Sequence, residues 1–119
     1  MAQHNELGKE GEQQAIQYLR EKAYIILEKN YRFKKAEIDI IAQKGDVLVI
    51  VEVKTRSTDY FGNPEEFIDK KKIKLLVTAA DHYVIDKDLD VEVRFDIVAI
   101  LRKGSNYEIE HMEDAFLFF

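Results

Sequence analysis

The sequence predicts an α/β domain built on a mixed central β-sheet flanked by helices. Three observations carry this. The apolar spacing runs helix, three strands, helix, strand, strand along the chain. Gly45-Asp46 has the Gly-X form of a two-residue hairpin turn, which makes the second and third strands antiparallel. The 119 residues suffice for one core and leave too few for a second, so residues 1–119 are expected to form a single domain.

The first element is a helix from Asn5 to Lys22. Gly8, Gly11, Ala15 and Leu19 share one face of it, with Ile16 alongside. Two glycines inside a helix cost stability relative to alanine, so they predict close approach of the backbone to a neighbour. Glu12 lies on the same stripe, and an inward carboxylate needs a partner. Tyr24 to Phe33 is rich in β-formers and gives the first strand, followed by a short Lys34-Lys35 connection. Ala36 to Gln43 alternates, with Glu37, Asp39 and Ile41 on one face and Ile38, Ile40 and Ala42 on the other. Val47 to Lys54 is a third strand, apolar until Glu52. Thr55 to Asn63 reads as a polar loop, with Gly62 and Pro64 near its end. A long helix follows from about Asp69 to Ile85, buried along Ile73, Leu76, Ala80 and Tyr83 or Val84. Val91 to Leu101 is a strand, turned by Lys103 to Asn106 into a last strand, Tyr107 to Met112. The terminal Ala115 to Phe119 is apolar and is expected to pack on the body.

Composition excludes several classes of chemistry. Apolar residues make up 46% and charged residues 34%, an ordinary globular balance. There is no cysteine, so disulfides, thiolate zinc sites and cysteine nucleophiles are absent. The polar N-terminus carries no signal-peptide pattern, and the longest apolar run, Val47 to Val51, is too short to span a bilayer. A cytoplasmic protein with no membrane partner is expected. The net charge of −5 weighs against a broad nucleic-acid surface. A local basic patch or a bound metal would have to supply the positive field.

The hairpin concentrates ionisable groups. With Gly45 and Asp46 as the loop, Lys44 pairs with Val47. Counting outward then sets Asp39 opposite Glu52 and Glu37 opposite Lys54. Opposed carboxylates repel, and either a raised pKa or a hard cation such as Mg²⁺ or Mn²⁺ would offset that. Such a cation could bind a phosphodiester oxygen, acidify an attacking water and neutralise transition-state charge, with Lys54 beside it to orient the water. The plainer alternative is a cross-strand Glu37–Lys54 ion pair with Asp39 and Glu52 in solvent. Geometry alone leaves both open.

The runs GKEGEQQAIQYL, NYRFKKAEIDIIA, LVIVEVKTR, FGNPEEFIDKKKIKLL and RFDIVAI, in this order, resemble the YraN family. That family is similar to the archaeal Holliday-junction resolvases and the wider PD-(D/E)XK nucleases. The resemblance spans almost the whole chain. It implies a restriction-endonuclease-like core and an Mg²⁺- or Mn²⁺-dependent endonuclease that hydrolyses phosphodiester bonds in DNA, including branched or damaged structures, leaving 5′-phosphates. It assigns catalysis to Asp39, Glu52 and Lys54, with Asp39 and Glu52 as metal ligands. Glu12 matches the first-helix acid of the resolvase-like branch. Two positions depart from the pattern: Ala36 stands where the family has Gly, and Ile38-Asp39 where the motif has Pro-Asp.

Other residues have weaker standing. Glu37 is either a further site residue or the partner of Lys54. Arg56 and Arg32 are candidate phosphate contacts or solvated arginines. Lys70, Lys71, Lys72 and Lys74 form the dense basic cluster, and Lys72, which matches a basic family position, leads it for nucleic-acid binding. Asp96, inside an apolar strand, reads as a structural acid paired with Arg94 or another base. His4, His82 and His111 show no metal-ligand spacing. Tyr60 and Phe61 could stack on bases. The alternative function is a nuclease-fold module that binds nucleic acid or a protein without turnover. A homodimer through Phe116 to Phe119 is compatible with either.

Overall fold

The computed structural model describes residues 2–57 and 69–115, with side chains from Leu7 onward. The predicted order holds: α1 (Ala2–Glu21), β1 (Ile25–Phe33), β2 (Ala36–Lys44), β3 (Val47–Arg56), α2 (Lys70–Asp86), β4 (Glu92–Lys103) and β5 (Asn106–Met112). The strands form one mixed sheet in the order β1-β2-β3-β4-β5. Neighbours are antiparallel except β3 and β4, which are parallel and joined through α2. Among the described residues, no helix is long and apolar enough to cross a membrane.

The two helices cover opposite faces of the sheet. Leu48 and Ile50 of β3, with Phe95 and Ile97 of β4, pack against Leu76, Ala79, Ala80 and Tyr83 of α2. Val49 and Val51, with Val98 and Ile100, pack against Ala15, Ile16 and Leu19 of α1. Central strands buried on both faces need side chains that are apolar at every position, which is why β3 reads as an unbroken apolar run. The buried stripe of α2 resolves to Tyr83, whose ring meets Tyr31 edge-on.

The two helical glycines differ. A Cβ on Gly11 would stand 1.9 Å from Thr55 Oγ1, so α1 rests directly on the end of β3. A Cβ on Gly8 would meet nothing within 4 Å. The predicted close approach therefore belongs to Gly11 alone. Thr55 and Arg56, which the sequence assigns to a loop, continue β3, paired with Ile100 and Leu101 of β4. The loop's remainder from 58, with Tyr60, Phe61, Gly62 and Pro64, lies outside the described residues, as do Phe116 to Phe119 and the His4 side chain.

Asp96 is wholly buried and fully paired. It accepts from Arg94 Nε and Nη2 at 2.9 and 2.8 Å and from the Asp114 N–H at 3.0 Å, and its Oδ2 lies 2.7 Å from His111 Nε2. Arg94 also donates to the Tyr24 hydroxyl at 2.7 Å, and His111 Nδ1 lies 3.1 Å from the Tyr18 hydroxyl. Burial works to raise the Asp96 pKa, but the bonds from His111, Arg94 and Asp114 outweigh it and hold the carboxyl below its ordinary value. This network ties α1, β4, β5 and the turn after β5 together. Asp96 is thus the structural acid the sequence predicts.

Candidate functional site

The hairpin forms in the predicted register. Gly45 takes φ +60°, and pairing runs from Lys44–Val47 to Ile40–Val51. There it stops. Beyond that rung β2 stays with β1 as far as Ala36–Phe33, while β3 stays with β4 as far as Arg56–Leu101. The two central strands splay into a notch, with Asp39 on one arm and Glu52 on the other.

This changes how the acids meet. Asp39 and Glu52 are not a rung of the ladder. Asp39 Oδ2 instead accepts the Val53 N–H at 2.8 Å, satisfying a backbone donor that the splaying strands leave open. The alternation of β2 also breaks here. Ile38 packs in the α2 layer and Ile40 in the α1 layer, so the face assignment read from strict alternation fails at Asp39. The kink leaves Asp39 accessible from both sides of the sheet. It lines a cleft of about 330 Å³ with Glu52, Lys35, Glu37, Lys71 and Lys72. It also lines one of about 200 Å³ on the α1 side, with Leu7, Gly8, Glu12, Val53 and Thr55. Glu12 therefore reaches the same carboxylate from the opposite layer.

Glu52 follows Leu48 and Ile50 on the α2 face of β3 and is only 4% exposed. Its Oε2 receives the ammonium of Lys72, from the first turn of α2, and lies 3.3 Å from that of Lys54. Its Oε1 is buried with no hydrogen-bond partner among the described residues. A buried carboxylate oxygen without a donor is costly, so a hydrogen-bond donor, a water or a cation at this atom would be favourable.

The charges act on one another. Burial first, then the negative charge of Glu52, with a smaller push from Glu12, raises the Asp39 pKa from 3.8 to about 7. The Val53 N–H and Lys72 work against the rise. Burial works to lower the Lys72 pKa, but its bond to Glu52 and the charges of Glu52 and Asp39 outweigh this and hold the ammonium above its ordinary value.

The oxygen donors of Asp39 and Glu52 and the orphaned Oε1 fit a hard divalent cation. Among the described residues, no three histidine, aspartate or glutamate side chains gather closely enough to hold a metal unaided. Mg²⁺ suits such a place, since it commonly takes one or two carboxylates and leaves its other positions to water and substrate oxygens.

Several residues land away from their expected partners. Glu37 does not pair with Lys54. It receives Arg32 Nε at 3.0 Å across the Arg32–Glu37 rung of β1 and β2, because splaying carries β2 away from Lys54. Both side chains of that pair are exposed, so it contributes little. Arg56 donates to the Thr55 carbonyl at 2.8 Å and sits half-buried beyond Lys54. Lys70, Lys71 and Lys74 lie on the exposed side of α2, whereas Lys72 turns inward to Glu52. That contact is missed from sequence, although a signal exists: α2 returns the chain from β3 to a parallel β4, which carries its first turn back toward the end of β3. His111 is likewise missed as the partner of Asp96, and His82 stacks on Phe33 at 3.9 Å between ring centroids.

A cavity of about 860 Å³, larger than either cleft at the notch, lies between α1 and β1, lined by residues such as Gln13, Gln17, Arg20, Ile26 and Glu28. None of the predicted site residues touches it. Convergent charges and an orphaned buried oxygen weigh more than volume, so the notch is the candidate site.

Residues 11–100 match the model of the uncharacterised protein family UPF0102, a span that takes in Glu12, Asp39, Glu52, Lys54 and Lys72. A UPF0102 protein of Christiangramia forsetii is 58% identical over the full length of both chains. One of Flavobacterium psychrophilum is 56% identical, again over both full lengths. A third, of Bacteroides thetaiotaomicron, is 50% identical over 98% of this chain and 96% of its own. With the family model matched over most of the chain and relatives this close along its whole length, the protein belongs to the UPF0102 family, the YraN family.

Proposed function

We propose that this protein is a divalent-metal-dependent endonuclease with a restriction-endonuclease-like core, acting in the cytoplasm on DNA, with branched or damaged structures as its preferred substrates. The observation that carries this reading is the notch itself. Two carboxylates from diverging central strands converge there, one with a partnerless buried oxygen and the other with its pKa pushed up.

In this reading Asp39 and Glu52 hold Mg²⁺ or Mn²⁺. When bound, the cation supplies positive charge that draws a non-bridging phosphate oxygen and eases deprotonation of the attacking water. Asp39, held by the Val53 N–H, keeps its carboxylate aimed into the notch. Lys54 orients the water for in-line attack and stabilises charge on the pentavalent phosphorus. Glu12, which lines the α1-side cleft at Asp39, would accept the water's proton. The water oxygen bonds to phosphorus, the P–O3′ bond breaks, and the leaving 3′-oxygen takes a proton from solvent, so the products end in 5′-phosphate and 3′-hydroxyl. Arg56, two residues beyond Lys54 on β3, and Arg32, bonded to the cleft residue Glu37, would contact flanking phosphates.

A non-catalytic binding module is the second reading. In its favour, Lys54 and Lys72 already neutralise Glu52 without any cation. Cleavage of end-labelled linear and branched DNA in Mg²⁺ and in Mn²⁺ separates the two. The nuclease reading expects cleavage that chelation stops and that falls at least about a thousandfold in Asp39→Ala and Glu52→Ala. DNA binding without cleavage in either metal would favour the module.

A further inference from the structure

The two lysines on Glu52 stand differently. Both reach the same oxygen, Oε2, and leave Oε1 bare. Lys54 projects from the middle of the sheet, and its side chain is 15% exposed. Lys72 projects from the first turn of α2, and its side chain is 38% exposed. Its backbone is fixed, because its N–H is capped by Asp69 Oδ1 at 2.8 Å, but its long stem opens toward solvent. With all four groups charged, Asp39 and Glu52 carry as much negative charge as Lys54 and Lys72 carry positive. A divalent cation on Glu52 would sit beside the two ammonium groups already held by that carboxylate, which is unfavourable unless one of them withdraws or an anion arrives.

We infer that Lys72 is an exchangeable counter-cation, which holds Glu52 in the resting protein and swings to a substrate phosphate when a divalent cation enters. This rests on Asp39 and Glu52 being the cation's ligands. Lys72 is the partner that moves because Lys54 has no comparable path to solvent. Its destination is the mouth of the same cleft, where Lys35 and Lys71 also lie and where a phosphodiester would meet three ammonium groups. The exchange couples the two ligands: phosphate relieves the excess positive charge and tightens cation binding, and the cation frees Lys72 to hold phosphate. The resting site is thereby kept from binding free cation strongly until a phosphodiester is present.

Calorimetric titration of Mn²⁺ into the full chain tests this without any activity assay. Lys72→Met should bind Mn²⁺ about tenfold more tightly than wild type. Lys74→Met, which removes an exposed lysine of the same helix that lines neither cleft, should stay within about twofold. Dimethyl phosphate, a minimal phosphodiester, should tighten Mn²⁺ binding to wild type by about fivefold and to Lys72→Met by much less. Equal or weaker Mn²⁺ binding by Lys72→Met, with binding still abolished in Asp39→Ala, would overturn the exchange and leave the cation site standing. Saturable binding in neither wild type nor Lys72→Met would overturn both. Should Lys72→Met lose its fold by circular dichroism, the dimethyl phosphate effect on wild type decides alone, and its absence overturns the exchange.

Discussion

Asp39 is the residue on which the site turns. It fastens β3 through the Val53 N–H, faces Glu52 on one side and Glu12 on the other, and bears their combined repulsion. Its pKa in the fold, about 7, lies above its ordinary 3.8. Between those values the folded state holds a proton that the unfolded chain has released. The contribution of this group to stability is therefore largest in acid and declines as pH rises from about 4 to about 7. Asp39→Asn keeps the acceptor for Val53 and removes the charge. It should stabilise the protein at pH 8 by about 1–3 kcal/mol, after discounting for partial exposure, and change little at pH 4. Thermal melts of both proteins at the two pH values check this, and an equal shift at each would show that burial of the Asp39 charge, with the repulsion of Glu52, is not the cause. Resting instability of this kind is expected where residues are arranged for a ligand rather than for the fold.

At the scale of elements, the notch exists because β2 and β3 part after five rungs while their outer partners hold them. α1 closes it from one face, resting on Thr55 through Gly11. Gly11→Ala should destabilise the protein by about 1–3 kcal/mol, the clash with Thr55 exceeding the gain in helix propensity. Gly8→Ala, facing open space, should stabilise it by up to about 1 kcal/mol. Urea denaturation of the two variants distinguishes them, and a stabilised Gly11→Ala would show that α1 does not press on β3. The sequence made the elements legible because each has its own period: 3.6 in α1 and α2, and β-rich runs bounded by turn residues in the strands. The Gly-X turn even set the register correctly as far as Ile40–Val51. It could not show where pairing would stop, because a register extrapolated from a turn assumes strands that stay together. That assumption produced the Glu37–Lys54 pair, which the divergence of β2 removes. Asp39, Glu52 and Lys54 were legible as a cluster on adjacent strands. The contacts of Lys72 and His111 were not, because each joins residues from elements that are distant along the chain.

For the whole molecule, the proposed function has to be reconciled with an acidic chain. The net charge is −5, and much of the acidity relevant to chemistry is drawn into one notch between two helical layers. A polyanion would approach such a surface weakly by itself and better once a cation has offset the acids. The Asp96 network fastens β5 and the turn after it to α1 and to β4, the strand that pairs with the β3 arm of the notch. The central claim is that Asp39 and Glu52 together form a divalent-cation site. The most direct test is calorimetric titration of Mn²⁺ and Mg²⁺ into wild type and Asp39→Ala at neutral pH. Saturable binding to wild type that disappears in Asp39→Ala is the predicted result. Binding that persists unchanged in the variant, or is absent from wild type, would contradict it.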